Sequence, residues 1–394
     1  MLEPHYQHTV ARILESDCRY VLAIQDQMRL NFTGHKAKSD LGIIGRTGNT
    51  DQYGLIQHSV LCVSDQNESL GLMDVRFFDY SEFDTSVDRW KRGLAEKASC
   101  CWLDGLQKMR QRLGITKRRI ITVADREGDF YEFLHPLIEG NEEFVIRAQH
   151  DRYLSRVGDQ KEGVKLWDLF EQSADQGTME ASIQDVNSRE IKTIILQIKA
   201  IRVFVPVPKR IPKGQREVDG YKAFQINVVM AYGDDREWVL LTSLPINTFE
   251  QIKEVVEIYQ ARWHIEDFHK VLKTGYQVDE IYLHSSRQAI ENLLAIACIS
   301  ACRLYWIIYM GRHEADIKAD QLFETFEWKA MYVFFKEKIP DNPPPLCDVI
   351  LKIARLGGYK PRHNAKPPGI KTMWIGYQKF TVAAQMYRNM STKT

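Results

Sequence analysis

The stretch Glu254-Val-Val-Glu-Ile-Tyr-Gln-Ala-Arg-Trp-His-Ile-Glu-Asp-Phe-His-Lys-Val-Leu-Lys273 constrains the fold more than any other. It reads as one long helix. Thr248 with Gln251 three residues on predicts a capping-box start, and Gly275 predicts the stop. At about 100° per residue, Tyr259, Arg262, Glu266 and Lys273 fall within roughly 60° of one another. Ile252 and Val255 lie on the same side. A stripe that begins apolar therefore turns into phenol, guanidinium, carboxylate and ammonium without changing face. Charges on a core-facing stripe are costly unless paired or used. A surface helix laced by the i,i+4 pairs Arg262–Glu266 and Glu266–Lys270 satisfies the same pattern, so the helix alone leaves two readings open.

The chain has 394 residues, 44% of them apolar, enough for a large core and more than one domain. Its 53 basic and 52 acidic residues nearly cancel, which argues neither for nor against a nucleic-acid partner. Their distribution says more. From Leu351 to Thr394 there are nine Lys or Arg and no Asp or Glu, a balance that suits a polyanion. Trp374, Tyr377, Phe380 and Tyr387 in the same segment predict a packed unit rather than a solvated tail. The seven cysteines show no metal or disulfide spacing, and Cys298 and Cys302, i,i+4 in an apolar helix, read as core. Reduced thiols and an N-terminus without signal-peptide character predict a cytoplasmic protein. The apolar run Leu293–Met310 is interrupted by Arg303, so it predicts a buried helix and no membrane partner.

In chain order, residues 1–17 predict a short helix, and Arg19–Gln25 a buried strand closed by Asp26. A Gly-rich loop follows from Gly34 to Gly54; Leu55–Ser64 and Ser69–Phe78 form an antiparallel hairpin. Ser86–Leu113 is helical, with Trp90, Leu94, Trp102, Leu103 and Leu106 on its apolar face. The strand Ile120–Ala124 ends in Asp125, then come the helix Phe130–Ile138 and the strand Glu143–Arg147. This is an α/β core, a mixed sheet flanked by helices, over residues 1–147. Short alternating runs over 148–246, with a basic loop from Pro206 to Lys222, predict an all-β insertion. Residues 247–312 return to the core through the long helix and a second one, Arg287–Tyr309. Pro340–Pro345 marks a linker within a helical, basic C-terminal region, 313–394.

Asp26 and Asp125 share a context: each closes a buried strand of aliphatic residues. Each also has an ordinary reading, as a turn residue or a helix cap. Glu266 adds a third carboxylate. Three converging carboxylates cannot all stay ionised without a cation, and hard oxygen ligands with open positions suit Mg²⁺ or Mn²⁺. Two such ions about 4 Å apart activate water or a 3′-hydroxyl and stabilise the leaving oxygen of a phosphodiester. Strand-Asp, strand-Asp, helix-Glu on this succession of elements is the layout of a ribonuclease-H-like nuclease core.

The motifs Ala23-Ile-Gln-Asp26, Val123-Ala-Asp-Arg-Glu-Gly-Asp129, Trp238-Val-Leu-Leu-Thr-Ser243, Tyr259–Lys273 and Ile353-Ala-Arg-Leu-Gly-Gly358 carry a resemblance. With them the chain resembles the bacterial DDE transposases of the insertion-sequence-four group, close to the Tn5 branch. Tyr259, Arg262, Glu266 and Lys273 keep every spacing of that group's signature. The resemblance implies that Asp26, Asp125 and Glu266 are the catalytic, metal-binding triad, with Mg²⁺ (or Mn²⁺), two ions, as cofactor. It implies that Tyr259, Arg262 and Lys273 contact phosphates near a cleaved transposon end, and that Trp238 stacks a flipped base. Arg147 and Trp263 match positions near the DNA. The expected activity is cut-and-paste transposition on double-stranded DNA, at transposon ends and target, by a homodimer in a synaptic complex. Two departures stand out. Gln27-Met28 replaces Thr-Thr after Asp26, and only 25 residues precede that Asp where relatives carry a helical end-binding domain. The chain is therefore expected to lack that domain. This leaves a second expectation, an inactive or inhibitory remnant that dimerises with full-length transposase, and a third, a host nuclease of the same fold.

Overall fold

The structure, a computed structural model, describes residues 1–34, 40–83, 92–114, 116–156, 163–184, 191–233, 236–278, 280, 286–361 and 367–391. An opening helix α1 (Glu3–Glu15) precedes β1 (Val21–Asn31), β2 (Ile43–Thr47), β3 (Thr50–Ser64) and β4 (Ser69–Phe78). Then come α2 (Cys100–Leu113), β5 (Ile120–Ala124), α3 (Tyr131–Glu139) and β6 (Glu143–Arg147).

These five core strands stand in the order β4-β3-β1-β5-β6. Only β3 runs against the others: it pairs antiparallel with β1 and β4, while β1, β5 and β6 are parallel. That is the ribonuclease-H-like arrangement expected from the sequence. Alternation along β1 sorts its side chains between two cores. Leu22, Ile24, Met28 and Leu30 join one, and Val21 and Ala23 the other. Asp26 therefore shares a face with Ile24 and Met28.

The insertion is built from β7 (Tyr153–Arg156), β8 (Val164–Lys165), α4 (Leu166–Glu171), β9 (Gly177–Gln184), β10 (Ile191–Val205), α5 (Lys213–Val218), β11 (Phe224–Gly233) and β12 (Arg236–Thr242). It is not purely β, since α4 and α5 interrupt it, and α5 lies inside the basic segment read as a loop. Its strands also extend the core sheet. β12 pairs antiparallel with β6, from Leu240 opposite Arg147 to Thr242 opposite Val145, which makes one 12-stranded sheet.

The chain returns through α6 (Phe249–Gln260), α7 (Trp263–Lys270), a π-helical turn Val271–Tyr276, and α8 (Arg287–His313). These cover the Asp26 face of the sheet, while α2 and α3 cover the other. By length and composition α8 could cross a membrane, but Leu294, Cys298, Cys302 and Leu304 are buried in the core. The C-terminal helices α9 (Thr325–Phe334), α10 (Leu346–Leu356) and α11 (Ile370–Ser391) follow. Backbone meets backbone where α10 meets α11. A Cβ at Gly376 would lie 1.9 Å from the Ile353 carbonyl oxygen, and one at Gly357 would lie 1.9 Å from that of Thr372. Tyr377 and Phe380 are buried, as a packed C-terminal unit requires. The Pro340–Pro345 segment is tied down at its end: Ala319 N donates to Pro344 O and Leu346 N to Ile317 O.

Several sequence expectations are corrected. The long helix is two helices broken at Ala261-Arg262, and its end lies beyond Gly275, at Gln277 with φ of 48°. The capping box at Thr248 and Gln251 is present. Asp26 does not close a strand but sits in the middle of β1, opposite Ser59. The long partner β3 keeps β1 extended as far as Asn31, whereas the parallel ladder with β5 ends at Gln25 opposite Ala124. The Gly34–Gly54 loop contains β2, which forms a hairpin with the start of β3. Helix α2 begins at Cys100, preceded by a 3₁₀ turn Leu94–Glu96; Trp90 lies outside the described residues.

Candidate active site

Asp26 rises from β1 at the point where its parallel neighbour runs out. Its carboxyl is buried beneath α7, and burial together with the charge of Asp125 raises its pKa from 3.8 to about 7. The same shift is opposed by Arg262 and reinforced, more weakly, by Glu266, so all three predicted carboxylates bear on one another. Asp125 follows β5 and also does the ordinary work of a cap: its Oδ1 accepts from Glu127 N at 2.8 Å, at the start of a 3₁₀ turn. Asp129, in the same motif, is a structural anchor. It is buried, accepts from the Gln149 and His150 amides at 2.6 and 3.1 Å, and pairs with Arg152.

Arg262 occupies the centre. Its Nη1 donates to Asp26 Oδ2 at 3.4 Å, and its Nη2 to Glu266 Oε1. Its guanidinium lies 5.7 Å from the Tyr259 ring and 5.8 Å from that of Trp263. Arg262 is buried, and its Nε has no hydrogen-bond partner. Of the two i,i+4 pairs read from the sequence, Arg262–Glu266 is formed, between a buried guanidinium and a Glu266 side chain that is 36% exposed.

The remaining predicted residues divide into two groups. Tyr259 is buried, and its hydroxyl is held neutral by burial, against the pull of Arg262 and Arg147. Arg147, at the end of β6, donates to the Glu237 carbonyl at 2.9 Å. Trp238 is 5% exposed and meets Tyr259 edge-on at 5.8 Å, so in this conformation it belongs to the core. Lys273 projects from the π-helical turn and is exposed. Trp263 is 43% exposed and faces away from the carboxylates, toward a cavity behind α7. Gln27, one of the departures, donates to Cys101 Sγ at 2.9 Å on the opposite face of β1.

Sequence reasoning missed His269. It is buried beside Arg262 and Lys273, and its Nε2 lies 3.5 Å from the hydroxyl of Ser59, the cross-strand partner of Asp26. Burial first, then those two cations, hold the imidazole neutral, with a pKa lowered to about 3. The signal was available: residues 259, 262, 266, 269 and 273 form one unbroken 3-4-3-4 spacing, and only the fourth was passed over.

Among the described residues, no three His, Cys, Asp or Glu side chains close on one point as metal ligands. The donor set nonetheless fits a hard divalent cation. It is all carboxylate oxygen, and a cation would offset both the burial that chiefly raises the Asp26 pKa and the Asp125 charge that adds to it.

Residues 101–302, just over half of the chain, match the Transposase DDE domain family. The chain belongs to the DDE transposases. Residues 299–393 match a second family, the Transposase Tn5 dimerisation domain. Together the two matches make this a DDE transposase of the Tn5-like type. A solved structure described as a cryo-EM structure of the piggyBac transposase synaptic complex with hairpin DNA aligns with 98% of this transposase at 8% identity and a TM-score of 0.39. This transposase spans 56% of that structure's chain, and a likeness of that score supports no inference about its site.

Proposed function

We propose that this protein cuts DNA at the ends of a mobile element and joins the freed ends elsewhere, with Asp26, Asp125 and Glu266 as its Mg²⁺- or Mn²⁺-binding triad. The observation that carries the reading is the contact of Arg262 with both Asp26 and Glu266 beside Asp125. Bound divalent ions, two in this reading, supply the activation of water or a 3′-hydroxyl and the stabilisation of the leaving oxygen. In the first step water oxygen bonds to phosphorus and the bond to the 3′ oxygen breaks, leaving a 3′-hydroxyl. The oxygen of that hydroxyl would then bond to a phosphorus of the opposite strand as that phosphorus loses its bond to the 3′ oxygen of the flanking DNA, giving a hairpin and releasing the flank with a 3′-hydroxyl. Water would reopen the hairpin by bonding to the same phosphorus and expelling the 3′ oxygen, and the restored 3′-hydroxyl would attack a target phosphorus, whose bond to its own 3′ oxygen breaks.

The protein's own residues hold and orient the phosphate. The buried, unpartnered Nε of Arg262 is a donor awaiting an oxygen acceptor, and a phosphate supplies one. Tyr259 offers a neutral phenol donor, and Lys273 and Arg147 add positive charge. Trp238 would stack a flipped base only after its cover by Tyr259 opens. Dimerisation would use α11, where Val382, Met386 and Met390, 60, 60 and 70% exposed at four-residue spacing, form an uncovered apolar stripe.

The test is nicking of duplex DNA carrying the element's own ends. The expected result is cleavage that needs Mg²⁺ or Mn²⁺ and is abolished in Glu266→Ala. Metal-independent cleavage, or cleavage that survives Glu266→Ala, overturns the catalytic reading. Absence of cleavage together with suppression of a longer transposase would instead support an inhibitor.

A further inference from the structure

Behind α7, on the side away from the carboxylates, a cavity of about 950 Å³ opens between α7, α8, the start of β1 and the start of α11. We propose that this hollow binds single-stranded DNA, taking unstacked nucleotides of a strand that passes the carboxylate site. The choice of DNA as ligand rests on the functional reading above; the class of site rests on the hollow itself.

One wall is aromatic. Tyr309 stacks on His313 with ring centroids 4.4 Å apart and meets His264 edge-on at 5.3 Å. His264 is fixed in turn by the Tyr305 hydroxyl and, at 3.0 Å, by Asn67 Oδ1, so this wall is held in place before any ligand arrives. Trp263 also lines the hollow, with much of its surface free and Arg262 against its ring. The hollow and the carboxylate site therefore lie on either side of one Arg-Trp pair.

The rim is cationic. Lys270, Arg312 and Lys371 are exposed there and, among the described residues, form no ion pair within 4 Å. Three carboxylates share the lining: Asp65, which Arg19 pairs at 2.8 Å, Glu257 and Asp267. Rings that can stack a base beside cations that can hold its phosphates are the two components of single-strand binding. A duplex keeps its bases inside its own stack and reaches only the rim. The volume lies within the roughly 300–1,000 Å³ of built ligand pockets, room for a base with its sugar and phosphate.

The experiment is an anisotropy titration of the full chain, without divalent ions, with a short labelled oligothymidine and with a duplex of equal length. The variants are Tyr309→Ala and the charge reversal Arg312→Glu, which alters an exposed side chain and spares the core. Stacking on one base is worth about 1–3 kcal/mol, so Tyr309→Ala is expected to weaken oligothymidine binding roughly fivefold or more, and Arg312→Glu, which turns a cation facing the phosphates into an anion, is expected to weaken it as well. Duplex binding should change less than twofold in Tyr309→Ala, and in Arg312→Glu, whose rim charge a duplex also meets, it should fall less than oligothymidine binding does. Trp263→Phe should remove the quenching of intrinsic fluorescence that the oligonucleotide causes. Wild-type oligothymidine affinity in Arg312→Glu, or equal losses for both ligands, overturns the proposal. The readout is separate from nicking: cleavage with no oligothymidine effect sinks only this site, and an oligothymidine effect without cleavage sinks only the catalytic reading.

Discussion

At the scale of single residues, burial and the neighbouring Asp125 charge disfavour an ionised Asp26, a cost that a bound cation would relieve. Asp26 has a folded pKa of about 7 against 3.8 for the free side chain, so the folded state holds its proton more tightly than the unfolded chain does. Stability from this group is therefore greatest at low pH and is lost as pH rises between about 4 and 7, then levels off. Asp26→Asn is expected to stabilise the metal-free protein by a margin that grows across that window, on the order of 2 kcal/mol in total. Thermal melts at several pH values would show it; a margin independent of pH would mean the carboxyl is not strained. Arg262 is the counterpart. In Arg262→Ala the carboxylates lose the charge that stands between them, with an expected loss of about 2 kcal/mol in the absence of metal. Adding Mn²⁺ should recover part of that loss, and denaturant titrations with and without the ion would measure it.

At the scale of elements, the sequence was most legible where a pattern is local. The capping box at Thr248, the strand runs of the core and the apolar face of α2 around Trp102 and Leu106 follow from spacing alone. Asp26 was misplaced within β1 because a strand's length depends on its partner, and the partner β3 could not be aligned without the fold. The break at Ala261-Arg262 was hidden for a related reason: a buried guanidinium that reaches back to β1 is a tertiary demand, and no helix signal marks it. The triad needed three segments to be brought together, which the spacing of one helix cannot show. The close approach of α10 and α11 was also invisible, because a glycine in sequence does not name its neighbour. Gly376→Ala would press a methyl group onto the Ile353 carbonyl. The expected cost is about 1–3 kcal/mol or more, read as early unfolding of the C-terminal helices by hydrogen exchange, with the core sheet unaffected.

At the scale of the whole molecule, the proposed function assigns catalysis and dimerisation to two separate surfaces. The carboxylate face lies under α7, and the apolar stripe of α11 faces outward, available to a second copy. Met386→Glu is expected to leave a folded monomer, seen as halved mass in light scattering after size exclusion, with little change in melting temperature. An unchanged mass would place the dimer contact elsewhere.

The pairing of β12 with β6 has a further consequence. It seals what would otherwise be the naked margin of the core sheet, along the strand that ends at Arg147. A trimmed protein with residues 148–246 excised would present β6 as an open, hydrogen-bond-hungry border flanked by Phe144 and Ile146. Such a border recruits further strands, so the shortened protein should precipitate or form fibrils rather than survive as a minimal nuclease. Solubility and thioflavin binding of that variant would decide it. Precipitation or fibrils in that test would assign to the insertion the role of guarding the sheet edge against self-association.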